Sequence, residues 1–334
     1  MQVLVTGATG LIGSHLVDLL LERGDSVRAL VRPGEATNRL KQARVHVCWG
    51  DLSDRASLEA AVRGMDRVLH CAARTGVWGP RSEYEMANIR GLETLLNVAM
   101  AAGIRRFVHV STNSVHGVNQ RGVVDETAPL RTLPNPYSWS KIAGERLLDR
   151  AIRERRAPVT VVRPGWSYGP RDTTSFARFA AMIQQNRMVV IGSGDNHLPL
   201  IYVRDVAEGI VLASQAAQAV GRTYLLVNDE PVTQREFLGA IATELGVPVP
   251  NRNVPYSVAL MLGAIAEGLC HLTRRRPPLT RYGVQVLGGE SRFAIKRARD
   301  ELGFNPQTNM AEGVRRSVAW FREDYCASRG EGRP

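Results

Sequence analysis

The chain has 334 residues, 44% of them hydrophobic and 22% charged, which is enough to bury one large or two modest hydrophobic cores. Its formal net charge of +11 comes without a recognised nucleic-acid-binding module, so we expect no nucleic-acid partner. The cysteines form no CxxC pair and no Cys/His cluster, and we therefore expect neither a metal site nor a disulfide framework. No secretory signal is recognised at the N-terminus, so the reducing cytoplasm is the expected compartment.

The first predicted element is a short buried strand in QVLVTG, followed by a helix whose apolar residues recur at helical spacing and end at Gly24. Three glycines in a GxxGxxG pattern lie at the junction. Glycines there permit a sharp turn, close approach of a pyrophosphate and close packing of helix on strand, and the helix N-terminus attracts phosphate. We assign six residues of this turn to cofactor binding: Gly7, Thr9, Gly10, Leu11, Ile12 and Gly13.

The second predicted strand, in SVRALVRPG, bears on the choice of coenzyme. An acid near its end would bind the ribose 2′-hydroxyl of NAD, whereas an arginine would accommodate the 2′-phosphate of NADP. The sequence offers Arg32 and no acid at that point. It therefore favours NADP over NAD, with Arg32 as the selecting residue.

Four further strands are predicted in VHVCWGDLSD, DRVLHCAA, IRRFVHVSTNSVHG and PVTVVRPG, with helical patterns between them. Alternating strands and helices form a parallel sheet with both faces covered. The predicted fold is therefore α/β, a Rossmann-type doubly wound parallel sheet with a smaller, mixed C-terminal substrate-binding lobe. The ends of these strands supply further predicted cofactor contacts: Asp51, Leu52, Cys71, Ala72, Ala73, Ser111, Pro164 and Gly165.

Domain boundaries follow from this alternation. We predict a dinucleotide-binding domain over residues 1–165 and a lobe that mainly binds substrate over residues 166–325. Residues 203–228 return to the first domain as a helix and an added strand. Residues 326–334 are predicted to be a flexible tail.

Six motifs carry a resemblance to a known superfamily: TGATGLIG (6–13), GDL (50–52), HCAA (70–73), STNSVHG (111–117), YSWSK (137–141) and RPGWSYGP (163–170). In this order, they resemble the extended short-chain dehydrogenase/reductases, the NAD-dependent epimerase/dehydratase superfamily. The resemblance covers nearly the whole chain. It implies a nicotinamide cofactor and a homodimer formed through paired helices.

YSWSK places Tyr137 and Lys141 one helical turn apart, on the same face of a predicted helix. A tyrosine has an ordinary pKa of about 10, too high for a good base at neutral pH, and a nearby ammonium group lowers it. In the superfamily this tyrosine exchanges the proton of the alcohol or ketone, and the lysine also holds the nicotinamide ribose. The resemblance gives Tyr137 and Lys141 these catalytic and cofactor-binding roles.

The third catalytic group is a hydroxyl after the fifth strand. The resemblance places it five residues before Gly117, which selects Thr112 as the residue that orients the substrate oxygen. Ser111 is the alternative. Neighbouring residues on a strand point to opposite sides, so only one of the two hydroxyls should reach the substrate.

Two positions in the second half bear on the substrate. Nucleotide-sugar epimerases and dehydratases of the superfamily usually have an asparagine where this chain has Trp166, and an arginine where it has Leu198. A buried diphosphate needs charge-assisted donors, so these losses disfavour a nucleotide sugar. We assign five residues to substrate binding: Thr75, Thr112, Asn113, Trp166 and Leu198.

The segment 254–287 begins with an apolar, loosely helical stretch and ends in a basic cluster and a proline pair. Together with residues 291–306 it resembles the 3β-hydroxysteroid dehydrogenase and lipid-ketone reductase branch of the superfamily. Its apolar part is compatible with a lid over a hydrophobic ligand, with a buried core helix, or with peripheral contact to a membrane surface. These alternatives stay open at the level of sequence.

The sequence thus predicts an NAD(P)-dependent oxidoreductase that interconverts a secondary alcohol and a ketone on an apolar small molecule, sterol-like or another lipid or secondary-metabolite ketone. Tyr137 would serve as the acid and base during hydride transfer. The alternative is a nucleotide-sugar epimerase or dehydratase with tightly held NAD.

Overall fold

A seven-stranded parallel sheet forms the centre of the protein in this computed structural model, which describes residues 1–120, 122–273 and 275–328. The strands of the described chain are β1 (Gln2–Thr6), β2 (Ser26–Val31), β3 (His46–Trp49), β4 (Arg67–His70), β5 (Arg106–Val110), β6 (Val123–Val124), β7 (Val159–Pro164), β8 (Trp166–Tyr168), β9 (Val190–Ile191), β10 (His197–Leu198), β11 (Leu200–Tyr202), β12 (Thr223–Leu226), β13 (Val232–Thr233), β14 (Asn253–Val254) and β15 (Arg292–Phe293). The sheet has the order β12-β7-β5-β4-β1-β2-β3.

The α-helices are α1 (Leu11–Glu22), α2 (Asn38–Gln42), α3 (Arg55–Val62), α4 (Arg81–Glu85), α5 (Gly91–Ala101), α6 (Pro136–Arg155), α7 (Phe176–Gln184), α8 (Val203–Gln215), α9 (Gln234–Leu245), α10 (Tyr256–Thr273), α11 (Arg281–Gly288), α12 (Lys296–Leu302), α13 (Met310–Trp320) and α14 (Cys326–Ser328). Short 3₁₀ turns span Asn113–His116 and Ala217–Ala219, and π-helical turns span Met86–Arg90 and Phe321–Tyr325.

Helices cover both faces of the sheet. Side chains of α1, α8 and α12 pack in one buried cluster with one face of the strands, and those of α3, α5 and α6 pack in another with the opposite face. The strands are accordingly buried on both sides, as in β7, where every residue is buried. The predicted Rossmann-type doubly wound fold is confirmed.

The lobe has a hydrophobic core of its own, to which α7, α9 and α13 contribute buried side chains. Its strands form two-stranded pairs rather than an extended sheet: β8 with β11, β9 with β14, and β10 with β13. Helix α9 begins with a capping box, in which Thr233 and Glu236 each bind the other's backbone amide, and it ends at Gly246 in the left-handed conformation.

The chain crosses between the two cores more than once. Helix α8 and strand β12 lie in the first domain, where residues 203–228 were expected to return. A second return was not foreseen: β15 pairs with β6, and Phe293, Ile295 and Phe304 pack in the first core. Cys326–Ser328 form a helical turn, so the tail predicted from 326 begins too early, and its residues 329–334 lie outside the described residues.

Candidate active site

The turn between β1 and α1 is shaped for close backbone contact. Gly7 has a φ of +69°, in the left-handed region, and a Cβ there would lie 2.7 Å from the amide nitrogen of Ala72. A Cβ on Gly13 would lie 2.1 Å from the carbonyl oxygen of Gly7. Gly10 is the N-cap residue of α1 and has no side chain that could cap the helix. The first backbone amides of the helix are therefore available to bind an anion. This cradle fits a dinucleotide pyrophosphate.

The six residues assigned to this turn lie together at the carboxyl end of β1 and in the first turn of α1: Gly7, Thr9, Gly10, Leu11, Ile12 and Gly13. Thr9 is exposed, whereas Ile12 packs against the first core. The turn therefore presents backbone amides and one hydroxyl to its open side.

Arg32 follows β2 with a side chain that is 69% exposed, and it is already paired. Its Nε donates to Oε1 of Glu35 at 2.8 Å, and the hydroxyl of Thr9 donates to Oε2 of the same carboxylate at 2.6 Å. Glu35 thus links Arg32, the predicted coenzyme-selecting residue, to the glycine turn. Glu35 lies beyond the end of β2, in a loop whose path cannot be predicted from the spacing of residues in the sequence.

Asp51 and Leu52 follow β3 and have different surroundings. The carboxylate of Asp51 accepts from the hydroxyl and the amide of Ser53, and the hydroxyl bond in particular lowers its pKa. Leu52 packs against the first residue of α5, where a Cβ on Gly91 would lie 2.7 Å from its own Cβ. The loop after β3 is therefore held in place on both sides.

The end of β4 forms the wall behind the glycine turn. The amide of Cys71 donates to the carbonyl of Thr6, and the amide of Ala72 donates to the hydroxyl of Thr6. Burial raises the pKa of the Cys71 thiol to about 12, so this thiol stays protonated. The predicted cofactor contacts Cys71, Ala72 and Ala73 thus lie beside the glycine turn, directly after β4. The Cys71 thiol is protonated there.

The end of β7 holds the other two strand-end positions, Pro164 and Gly165. The amide of Gly165 donates to the carbonyl of Leu226, and a Cβ on Gly165 would lie 2.2 Å from the carbonyl oxygen of Pro199. Because Gly165 has no side chain, the end of β7 can lie against the backbone of Pro199, between β10 and β11.

Helix α6 carries Tyr137 and Lys141 in its first two turns. Its N-cap Asn135 accepts from the amide of Ser138, and Pro136 occupies the first helical position, which together fix where the helix begins. Tyr137 is half-buried, whereas Lys141 is only 2% exposed. The predicted pair thus lies on one helix, with the lysine deeper in the structure than the tyrosine.

The ammonium group of Lys141 is directed at strand β5. Its Nζ donates to the carbonyl oxygen of Val110 at 2.7 Å and lies 3.3 Å from Nε2 of His109. Burial lowers the pKa of Lys141 to about 8, against the opposing attraction of the Glu145 carboxylate. Burial, and then Lys141 itself, lower the pKa of His109 well below its usual range, so this imidazole is neutral and able to accept.

The phenol of Tyr137 lies among other hydroxyl groups. Burial raises its pKa above the ordinary range, the neighbouring Tyr282 adds to the rise, and a hydrogen-bonding interaction with Thr112 opposes it. Tyr137 is consequently a neutral phenol at neutral pH. Lys141, turned towards β5, is not among the groups that shift it.

Ser111 and Thr112 point to opposite sides of the chain. The hydroxyl of Ser111 is buried and donates to the carboxylate of Glu145, which also binds Nε of Arg163 at 3.0 Å. Thr112 is half-buried and interacts with Tyr137. As expected for neighbouring strand residues, the two hydroxyls point in different directions. Ser111 binds the buried Glu145–Arg163 ion pair, whereas Thr112 lies beside the phenol of Tyr137.

Beyond Thr112, two hydroxyls continue the row. Oγ of Ser114 lies 3.1 Å from Oγ1 of Thr112, and the phenol of Tyr282 interacts with Ser114. The predicted substrate residue Asn113 is 8% exposed, and Ser114 is 5% exposed, so both side chains are buried. Tyr282 belongs to α11 of the lobe, and no motif around it identified it in the sequence.

The remaining predicted substrate residues are spread over the lobe and a loop. Trp166 is half-buried, its Nε1 donates to the hydroxyl of Ser175 at 3.3 Å, and its ring packs edgewise on Phe179. Leu198 is 4% exposed and belongs to the lobe core, while Thr75 is exposed in the loop after β4. Leu198 therefore belongs to the hydrophobic core of the lobe. An arginine at this position would have to be buried in that core.

Comparison with known proteins identifies this arrangement. A model of the NAD dependent epimerase/dehydratase family matches residues 3–226, a stretch that contains the glycine turn, the hydroxyl row at β5 and the tyrosine–lysine helix. The chain belongs to this family. It is an NAD(P)-dependent enzyme of the extended dehydrogenase/reductase type, as the motifs predicted.

Named relatives match this family member over nearly its whole length. It is 33% identical over 331 residues to a 2-alkyl-3-oxoalkanoate reductase of Stenotrophomonas maltophilia, covering 96% of this chain and 99% of that protein. It is 27% identical over 329 residues to the mouse (Mus musculus) sterol-4-alpha-carboxylate 3-dehydrogenase, decarboxylating, covering 95% and 90%. The resemblance to the lipid-ketone reductase and steroid dehydrogenase branch is confirmed.

A solved structure with a different substrate class has the same fold. The dTDP-glucose 4,6-dehydratase DesIV of Streptomyces venezuelae, solved as a double mutant with NAD bound, superimposes with a TM-score of 0.80 at 27% identity. The match covers 99% of this chain and all of that one. The fold is thus shared by ketone reductases and sugar-nucleotide dehydratases, and the substrate has to be argued from the site.

Proposed function

We propose that this enzyme reduces a ketone on an apolar small molecule to a secondary alcohol, with NADPH as the preferred hydride donor. The observation that carries the proposal is the placement of Tyr137 beside Thr112 at the end of β5. Relatives whose names describe a 3-oxoalkanoate reductase and a sterol carboxylate 3-dehydrogenase support a lipid-like ketone.

Each catalytic residue has one task in this reaction. The nicotinamide cofactor, when bound, supplies the hydride. The Thr112 hydroxyl orients the ketone oxygen, and Tyr137 donates a proton from its phenol oxygen to that oxygen. The phenol of Tyr137 is protonated at neutral pH, as it would be even at the ordinary tyrosine pKa of about 10, so it can donate a proton in the direction of reduction. Lys141, on the same helix as Tyr137, is the residue that would hold the nicotinamide ribose.

The proposed preference for NADPH rests on Arg32. Its side chain is mostly exposed at the end of β2, and its present partner, Glu35, is a carboxylate that a 2′-phosphate would replace. NAD would instead leave Arg32 with Glu35 and place a 2′-hydroxyl near the carboxylate. Arg32→Asp should therefore shift relative coenzyme affinity from NADPH towards NADH, which fluorescence titration of both coenzymes would measure.

A nucleotide-sugar epimerase or dehydratase is the rival reading, since solved structures of that class share the fold. The site offers it little support. Trp166 packs between aromatic side chains and Leu198 lies in the lobe core, at the two positions where that class usually has an amide and a guanidinium. Neither side chain provides the charge-assisted donors that a diphosphate requires.

The deciding experiment is a screen of sterol ketones, long-chain aliphatic ketones and nucleotide sugars with NADPH and with NADH. We expect oxidation of NADPH with ketones and no reaction with nucleotide sugars. Tyr137→Phe should lower kcat by at least about 100-fold, because the proton donor is lost. Turnover of a UDP- or dTDP-sugar without net coenzyme oxidation, and with no ketone reduced, would refute the proposal.

We also propose that α10 rests on the surface of an anionic membrane. It is the helix among the described residues that is long and apolar enough to cross a membrane, and little of it is buried. Its exposed large side chains recur at helical spacing: Val258, Met261, Leu262, Ile265, Leu269 and Leu272. The exposed Arg275 and Arg276 follow its C-terminal end, which suits negatively charged lipid headgroups.

This helix also adjoins the loop that follows β4. The ring of His271, near the end of α10, lies 4.3 Å from that of Trp78, centroid to centroid, and Thr75 belongs to the same loop. A lipid-borne ketone would therefore reach the enzyme near this loop. The homodimer expected from the superfamily stays a prediction, which sedimentation equilibrium would test.

A further inference from the structure

Strand β5 places a histidine against the ammonium group of Lys141. His109, the fourth residue of β5, is 2% exposed, and its Nε2 lies 3.3 Å from Nζ of Lys141. A second contact of the ammonium group is the carbonyl oxygen of Val110, at 2.7 Å. Two acceptors from neighbouring residues of one strand therefore determine where the lysine points.

The imidazole of His109 is costly to the core in which it lies. Its Nε2 accepts from the ammonium group, so the proton of the neutral ring belongs on Nδ1. Within the described part of the chain, this buried Nδ1 has no hydrogen-bond partner. A buried donor without an acceptor lowers the stability of the fold, which an apolar side chain would not do. Stability alone therefore does not explain a histidine at this position.

The two contacts of Lys141 leave one donor in a fixed direction. An ammonium group has three N–H donors, arranged tetrahedrally around the nitrogen. With one donor directed to Val110 and one to His109, the direction of the third is fixed as well. This third donor is the one that a ribose hydroxyl could accept. A lysine held by Val110 alone could turn about that single bond, and its other donors would have no fixed direction.

We propose that His109 is a positioning residue, which holds the ammonium group of Lys141 so that its free donor meets the nicotinamide ribose. The inference rests on the role proposed for Lys141 in holding the ribose, and it does not depend on the substrate. His109 is buried in the sheet and acts through Lys141. Its contribution should therefore appear in coenzyme binding, and it should disappear when Lys141 is replaced.

Two variants with side chains of similar size separate the acceptor from packing. His109→Gln keeps an acceptor near the position of Nε2, and His109→Met removes it. We expect His109→Met to raise the dissociation constant of the reduced coenzyme by about tenfold, and His109→Gln to stay near the wild type, as measured by fluorescence titration. Phe107→Met places the same side chain at a buried position two residues earlier on β5. It controls for a changed core and should leave coenzyme binding unchanged.

A double-mutant cycle shows whether His109 acts through Lys141. Lys141→Met should weaken coenzyme binding by itself, and adding His109→Met to it should have no further effect. The inference is overturned if His109→Met causes the same loss in both backgrounds, or if His109→Gln loses as much affinity as His109→Met. Should His109→Met fail to fold, His109→Asn takes its place, because its shorter amide ends near the position of Nδ1 and not at Nε2.

The protonation of Lys141 provides a second readout, which a mere packing role of His109 would leave unchanged. The titratable groups that face Lys141 are Glu145 on the same helix, His70 and Cys71 at the end of β4, and His109 itself. A hydrogen bond to the ammonium group favours its charged form. In His109→Met the lysine should therefore lose its proton at a lower pH than in the wild type, and His109→Gln should restore the wild-type titration.

NMR of the lysine side chains can follow this titration directly. The chain has three lysines, Lys41, Lys141 and Lys296, and the other two are exposed. Isotope labelling of lysine thus gives few signals, and Lys141→Met identifies the one that belongs to Lys141. An identical titration of Lys141 in the wild type and in His109→Met would contradict the inference.

The same measurements separate this inference from the proposed function. If Lys141→Met binds the coenzyme as tightly as the wild type, the proposed role of Lys141 is wrong and the inference falls with it. If Lys141→Met binds weakly and His109→Met binds normally, the role of Lys141 stands and the inference alone fails. A failure to reduce any ketone would refute the proposed reaction and leave the results on coenzyme binding in force.

Discussion

Ser111 and Thr112, which follow β5, have different tasks, and two single variants distinguish them. Thr112→Ala should lower kcat/KM for ketone reduction by about 100-fold, because it removes a donor that orients the developing charge. Ser111→Ala should keep most activity but lower the free energy of unfolding by about 1–3 kcal/mol, because it takes a hydrogen bond from the buried Glu145.

Activity assays and urea unfolding of both variants check this assignment. The two variants serve as each other's control, since they are adjacent and remove the same functional group. An active Thr112→Ala together with an inactive, stably folded Ser111→Ala would reverse the roles.

Lys141 gives the stability of the protein a particular pH dependence. Its pKa is about 8 in the folded protein, against an ordinary value of 10.5. Between these two values the unfolded chain holds a proton that the native state has released, so stability rises with pH in this window. Relative to Lys141→Met, the wild type should gain about 1 kcal/mol in the free energy of unfolding between pH 7 and pH 9.

Urea denaturation at the two pH values measures this gain. Lys296→Met is the matched control, because the side chain of Lys296 is 83% exposed and should show no such pH-dependent difference. A difference between wild type and Lys141→Met that stays constant from pH 7 to pH 9 would show that Lys141 is not titrating in this range.

At the scale of elements, the outer face of α10 carries exposed apolar side chains. Its inner side is fixed by α11: a Cβ on Gly263 would lie 3.0 Å from the amide nitrogen of Arg281, and Arg281 pairs with Glu267 at 2.7 Å. The opposite face keeps apolar side chains such as Leu269 and Leu272 at 59% and 84% exposure. An exposed apolar surface of this kind is typical of interaction sites.

Vesicle binding tests the membrane proposal for this helix. The double variant Ile265→Ser and Leu269→Ser should reduce co-sedimentation with phosphatidylglycerol vesicles by tenfold or more, since each side chain contributes about 1.5–3 kcal/mol when removed from water. Val220→Ser, at an exposed valine outside the helix, is the control. Phosphatidylcholine vesicles should bind the wild type more weakly, and added salt should weaken binding to the anionic vesicles.

If the wild type binds neither kind of vesicle, the membrane proposal fails. Should the double variant in that case also convert a dimer to a monomer, the face of α10 would be an interface between two copies of the chain.

Local elements could be predicted from the sequence because their signals are local. The glycine turn, the strand ends and the Tyr137–Lys141 pair each depend on residues within one turn or one strand. Glu35 and Tyr282 could not be found in this way. The contact of Glu35 with Thr9 depends on the path of a loop, and that of Tyr282 with Ser114 depends on how the lobe docks on the sheet.

At the scale of the whole molecule, the two cores are joined by several crossings of the chain. The sequence predicted the return of α8 and β12, because a helical pattern followed by a short apolar run suits a further Rossmann unit. It did not predict that β15 and α12 also return, because a two-residue strand and a seven-residue helix carry little periodicity. Their place is set by packing of Phe293 and Phe304 in the first core.

These crossings limit how the enzyme can be rebuilt by recombination. A chimera that exchanged everything after residue 165 would remove the edge strand β12 and the covering helix α8 from the parent sheet, together with α12. A productive exchange of substrate specificity would need several separate grafts that spare these segments. The segment from α9 to α11 lies between β12 and β15, the two places where the chain returns to the first domain. Insertions and replacements there would leave the nucleotide-binding domain intact, so we expect differences in substrate specificity between related enzymes to be concentrated in this segment.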